Sequence, residues 1–95
     1  MIISKLHNQG NELVLAACDN ELIGKTLTNH LGAEIYINPE FYNGEECTSE
    51  ELQKLLKECS TANLFGAETI KAAGNNIGKV IDCNGVPHAQ VFKIL

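Results

Sequence analysis

TSEELQKLLKECSTANLFGAETIKAAG (Thr48–Gly74) decides the fold, because it reads as helix, strand and helix in succession. Thr48 with Glu51 three residues later is a capping-box pattern, in which each side chain satisfies the other's backbone N–H. Leu52, Leu55, Leu56 and Cys59 then recur at helical spacing, so they share one face and Cys59 is expected in the core. Glu50 and Glu51 in the first turn and Lys57 near the last complement the helix dipole. STANLFG reads as a short buried strand between turn formers. GAETIKAAG reads as a second, shorter helix, stopped by Gly74 with Asn75 and Asn76 behind it.

Hairpins are expected on both sides of this unit. IISKLH (Ile2–His7) and ELVLAAC (Glu12–Cys18) flank NQGN, a loop of residues that tolerate positive φ. In DNELIGKTL, Asp19 is placed to cap a short helical turn ahead of Gly24. AEIYINPEFY predicts a third strand over residues 33–37, broken at Asn38-Pro39 because proline cannot donate to a ladder. KVIDC and HAQVFKIL form the last pair, joined through NGVP. Asn84-Gly85 is a strong hairpin dipeptide, but Pro87 points to a loop slightly longer than a two-residue turn. The result is an α+β fold: a mixed, largely antiparallel sheet of five to six short strands with two helices, in the order β-β-β-α-β-α-β-β.

Ninety-five residues predict a single domain, residues 1–95, with one hydrophobic core. Twelve acidic side chains against seven lysines, with no arginine, give a net charge of -5. That sign opposes non-specific attraction to phosphate or anionic lipid, and the missing arginine removes the usual bidentate reader of phosphate and guanine. No apolar stretch has the length of a membrane span and MIISKLHNQG lacks a signal-peptide pattern, so the expected location is the cytoplasm. Cys18, Cys47, Cys59 and Cys83 are accordingly read as reduced thiols.

Several patterns invite chemistry. Zinc knuckles need close cysteine pairs, and none is present, so no metal site is assigned. Glu45, Glu46, Glu50 and Glu51 lack the ligand alternation and central glycine of an EF-hand loop. Gly24-Lys25-Thr26 resembles the end of a phosphate-binding loop whose first glycine position holds Asp19 instead. His7 and His30 sit in ordinary contexts. Cys83 and His88 flank the NGVP loop, and an imidazole beside a thiol can generate a nucleophile, which makes them the candidate catalytic pair, with Asp82 as an assistant. His88 follows Pro87, whose fixed φ restrains the approach, and in an extended strand Gln90 projects on the same face as His88. These two side chains either tie the loop to a neighbouring strand or contact a ligand or partner. No motif implies a cofactor.

NGVPHAQVFKI, NLFGAETIKAA, CDNELIGKT and FYNGE together resemble the small archaeal proteins grouped as domain of unknown function family 424. The likeness spans nearly the whole chain, and GVPHAQ (Gly85–Gln90) is its most specific part. Matching positions include Asp19, Gly24, Lys25, Phe41, Tyr42 and Gly44, and further along Asn63, Gly66 and Gly85 to Gln90. Members often carry a longer second helix where this chain has the compact AAGNNIGKV. The resemblance implies an archaeal, cytoplasmic, stand-alone domain without an assigned reaction, in a family associated with translation and ribosome-maturation genes.

The leading expectation is a non-enzymatic binding module, associated with translation or ribosome-assembly factors. Its contact residues are His88 and Gln90 with Pro87, Gly85, Lys25, Asn63 and Tyr42, and the acidic charge favours a protein or ribonucleoprotein partner over free RNA. One alternative is a small enzyme or metabolite-binding protein with His88 as the acid–base group. Another is a homo-oligomer that pairs through an open strand edge.

Overall fold

The computed structural model describes residues 1–75 and 77–93; Asn76, expected in the helix stop, and Ile94 and Leu95, expected in the last strand, lie outside the described residues. The first hairpin joins β1 (Ile2–Gln9) to β2 (Glu12–Asp19), paired from Ile2 opposite Asp19 to Gln9 opposite Glu12. Its turn is Gly10-Asn11, with Gly10 at φ 64°, a value that costs a glycine nothing. A 3-10 turn over Asn20–Leu22 leads to β3 (Thr26–Thr28) and β4 (Glu34–Tyr36). The chain continues through α1 (Pro39–Tyr42), β5 (Glu45–Cys47), α2 (Ser49–Glu58), β6 (Thr61–Phe65), α3 (Ala67–Ala73), β7 (Val80–Cys83) and β8 (Val86–Phe92).

The main sheet has the order β5-β1-β2-β6-β8-β7. β2 and β6 run parallel, while the other neighbouring pairs are antiparallel, so the fold is α+β with a mixed sheet. The strand expected over residues 33–37 forms as β4, but it pairs with β3 in a separate two-stranded sheet. Three short elements escaped the sequence pattern: β3, α1 and β5. Asn38-Pro39 does more than end a strand, because Asn38 accepts the Glu40 N–H and Pro39 opens α1 at its first turn, where a missing N–H costs nothing. Glu45 and Glu46 lie in edge strand β5 with exposed side chains, and such charges discourage further pairing.

The capping box of α2 forms as its residues require. Thr48 Oγ1 accepts from Glu51 N at 3.1 Å, and Glu51 Oε1 accepts from Thr48 N at 2.9 Å. The bond from Thr48 N, together with a side-chain hydrogen bond from Thr48, holds the exposed Glu51 carboxyl below its ordinary range. The buried face of α2 carries Leu52, and Cys59 follows at the C-cap, also buried. Both join Leu15, Ala17, Leu64 and Ala89 in a core between the sheet and helices α2 and α3. A second core lies on the opposite face, where Ala16, Cys18, Phe65 and Cys83 pack under Leu22, Leu27, Ile37 and Tyr42.

Two local expectations are corrected. Asp19 caps no turn of its own; its buried carboxylate reaches across to the start of α3, accepting from Thr69 N and Thr69 Oγ1 at 2.8 Å each and from Glu68 N at 3.2 Å. Gly66 makes room for it, since a Cβ there would sit 2.3 Å from Asp19 Cγ. The second correction concerns the last hairpin. Cys83 pairs with Val86, so the turn is the two residues Asn84 and Gly85, at φ 59° and 85°. Pro87 lies inside β8. Its carbonyl faces β6 and accepts from Gly66 N, just where β6 ends, so its missing N–H removes no ladder bond to β7.

Candidate functional site

Alternation along β8 puts Val86, His88, Gln90 and Phe92 on the face away from the helices, while Ala89 and Val91 join the helix-side core. In β6, Asn63 and Phe65 share that open face. The register sets Asn63 opposite Gln90 and Phe65 opposite His88. Gln90 Nε2 donates to Asn63 Oδ1 at 2.9 Å, and the His88 ring stacks on Phe65 with centroids 3.9 Å apart and planes 6° from parallel. These contacts follow directly from the pairing of two strands.

The lid over this face is incomplete. Tyr36 and Asn38 around β4, with Phe41 and Tyr42 of α1, wall a cavity of about 460 Å³ above Asn63, Phe65, His88 and Gln90. Tyr42 meets Phe41 and Phe65 edge to face, at 79° and 80°, while Phe41 stacks on His7 at 4.5 Å. His7 Nε2 also lies 2.8 Å from the Phe41 carbonyl, so the β1–β2 hairpin holds α1 in place. Among the described residues, no side chain lining the cavity is an acid, a lysine or an arginine.

His88 is 7% exposed, and its Nε2 is fully buried without a hydrogen-bond partner. Its Nδ1 lies 3.8 Å from Cys83 Sγ, so the candidate catalytic pair is in contact. Its electrostatics oppose nucleophile formation. Burial lowers the His88 pKa, and burial together with the Asp82 charge raises that of Cys83, so both groups are held neutral where an ion pair would need the reverse. Burial pushes the Tyr42 phenol up as well.

Four of the seven candidate contact residues therefore converge: His88, Gln90, Asn63 and Tyr42. The other three stand apart. Gly85 N donates to Asp82 Oδ2 within the hairpin turn, Pro87 closes the sheet against Gly66, and Lys25 is exposed, with its backbone bonded to Leu22 and Ile37. Tyr36, Asn38 and Phe65 were missed. The spacing of Asn63 and Phe65 in one strand carries the signal for Phe65, but nothing local indicates that β4 folds back over β6. All four cysteines are free, and burial pushes the Cys18 thiol up to about 12. Among the described residues no three His, Cys, Asp or Glu side chains gather as metal ligands. No helix among them is long and apolar enough to cross a membrane.

Fold and site define a small α+β protein whose mixed sheet is packed by helices on one face and hollowed into a neutral, aromatic-walled cavity on the other. The chain belongs to the family described as "Protein of unknown function (DUF424)", which matches residues 7–94. It is similar in fold to a solved structure described as "Crystal structure of an uncharacterized conserved protein from Methanopyrus kandleri". The two share 24% identity over 95% of this chain and 89% of the other, with a TM-score of 0.76. No curated protein matches the chain.

Proposed function

We propose that the protein is a non-enzymatic binding module that receives a segment of a partner protein in the cavity above Asn63, His88 and Gln90. The observation that carries this reading is the buried, unpartnered Nε2 of His88, on the strand face that also carries the Asn63–Gln90 amide pair. A polar atom left without a partner in a folded interior costs about 1–3 kcal/mol, a cost a purely structural histidine has no reason to retain. The aromatic walls supply apolar contact area and the amides supply orientation, the usual division of labour in a recognition site. The net charge of -5 favours a basic protein over free RNA. Translation and ribosome-assembly factors are the first partners to test, in the cytoplasm, where four free thiols stay reduced.

Tyr36 lines the cavity and is 55% exposed, so a photo-crosslinking phenylalanine analogue at that position reports the occupant in the source organism's lysate. The expected result is one discrete protein adduct that disappears on Gln90→Ala at unchanged melting temperature. An adduct that survives this substitution overturns the reading, as does its absence. A cross-link to a second copy of the chain overturns it in favour of self-association.

A further inference from the structure

At the β5 margin of the main sheet, the backbone of β1 is left partly unpaired. β5 pairs with β1 only over Ile2 to Ser4. Gln9 and Glu12 flank the two-residue turn as a hydrogen-bonded pair, so alternation points the N–H and C=O of Leu6 away from β2 and off the sheet edge. Neither group finds a backbone partner among the described residues. The Leu6 side chain beside this open edge is 41% exposed.

A groove runs past it. Two cavities of about 350 and 410 Å³ share Ser4, Glu45 and Leu55 in their walls, so they form one channel between α2 and the β1–β5 margin. Leu6 and Leu55 supply apolar contact, while Glu45, Glu46, Glu51 and Glu58 outnumber Lys54 at the end beside α2. Glu51 is committed to the capping box, but among the described residues no ion pair engages the other three.

The backbone edge and the charge together select an occupant. A divalent ion is disfavoured, because among the described residues no three acids, histidines or cysteines gather as metal ligands. Phosphate and anionic lipid are repelled by the same glutamates. A second copy of the chain offers no match, since none of its described strands carries more than one lysine. An uncharged or acidic strand would desolvate these acids without compensation, which is how edge charges prevent pairing. An extended segment rich in lysine or arginine meets every demand: its backbone pairs at Leu6, its cations face the glutamates, and its methylene stems cover Leu6 and Leu55.

We propose that this margin is a second interaction surface, where a basic segment of a partner protein adds as a strand beside Leu6 with its cations over Glu45, Glu46 and Glu58. It does not depend on the aromatic-walled cavity having an occupant. The test is NMR titration of the 15N-labelled full chain with two capped pentapeptides, one alternating lysine with valine and the other glutamate with valine. Spermidine serves as a cation without a peptide backbone. The lysine peptide should shift the backbone amides of β1 and β5 saturably and slow hydrogen exchange at Leu6 N–H by about tenfold or more. Glu45→Gln combined with Glu58→Gln should weaken its binding about fivefold, because two exposed ion pairs together contribute somewhat less than a tenfold step. Equal binding of the glutamate peptide, unchanged affinity of the double variant, or spermidine matching the lysine peptide overturns the proposal. So does saturable binding that leaves Leu6 unprotected, a shift confined to Asn63 and Gln90, or no saturable shift at all.

Discussion

The two faces of the main sheet are built to different standards. On the helix face, Leu15, Ala17, Leu64 and Ala89 pack under α2 and α3, and the buried Asp19 carboxylate accepts three hydrogen bonds. On the other face a partial lid of short elements leaves a cavity of about 460 Å³ and one imidazole nitrogen with nothing to bond. Both faces have aliphatic or aromatic cores, so hydrophobicity does not separate them. Polar satisfaction does. Among the buried side-chain polar atoms of the described residues, His88 Nε2 is left without a partner, and it belongs to the face with the partial lid, the kind of local deficit at which stability is commonly traded away.

The sharpest way to break this contrast is to spoil the satisfied face. Asp19→Ala leaves Thr69 N, Thr69 Oγ1 and Glu68 N without their acceptor, and hydrogen bonds to a charged group contribute about 1.5–3 kcal/mol each in the folded state. A loss of about 3 kcal/mol is expected, read as a lower urea midpoint at unchanged slope. Gly66→Ala should be at least as costly, because the new Cβ would overlap the Asp19 carboxylate at a residue with φ 111°. A loss under about 1 kcal/mol for both variants would show that the helix face does not depend on this contact.

The matching change on the open face should move stability the other way. His88→Phe keeps a flat ring to stack on Phe65 and removes the orphan nitrogen. The expected gain is about 1 kcal/mol, or a rise of roughly 4–8 °C in Tm, with loss of the photo-crosslinked partner. Stabilisation with the partner retained would mean that His88 is a packing residue.

How far this contrast was legible in the sequence depends on the distance between the residues concerned. The α2 capping box and the shared face of His88 and Gln90 follow from spacings of three and two residues, and both are present. The Asp19 clamp joins residues 50 positions apart, whereas local spacing points its carboxylate only at the nearest turn. In sequence Pro87 reads as part of a loop, because the end of β6, which makes a strand proline harmless there, is a tertiary fact. Tyr36 and Phe41 reach the cavity only because β3 and β4 leave the main sheet and fold over it.

Titration sharpens the comparison further. The lowered His88 pKa means that the unfolded chain binds a proton more readily than the folded one below the ordinary value of 6.5. Stability should therefore be unaffected by this group above that pH and should fall as pH drops below it, by at most about 1.4 kcal/mol per pH unit. Urea midpoints of native protein and His88→Phe should differ by a constant offset at neutral pH, and the gap should widen at mildly acidic pH. Parallel curves would show that the imidazole charges without penalty, and that the open face is wetter than its geometry indicates.

The smallest expected effect discriminates best. Gln90 is exposed, and its one hydrogen bond is to Asn63 at the cavity floor. Exposed side-chain bonds of this kind exchange readily with water, so Gln90→Ala should change stability by no more than about 0.5 kcal/mol. The Asn63 amide, once released, can turn to solvent. If the amide pair merely braced β6 against β8, loss of stability and loss of the partner would run together. A near-silent melting curve combined with loss of the Tyr36 adduct separates recognition from bracing, because only an occupant senses the missing carboxamide. A loss of stability comparable to that of Asp19→Ala would place Gln90 with the structural residues and erase the difference between the two faces.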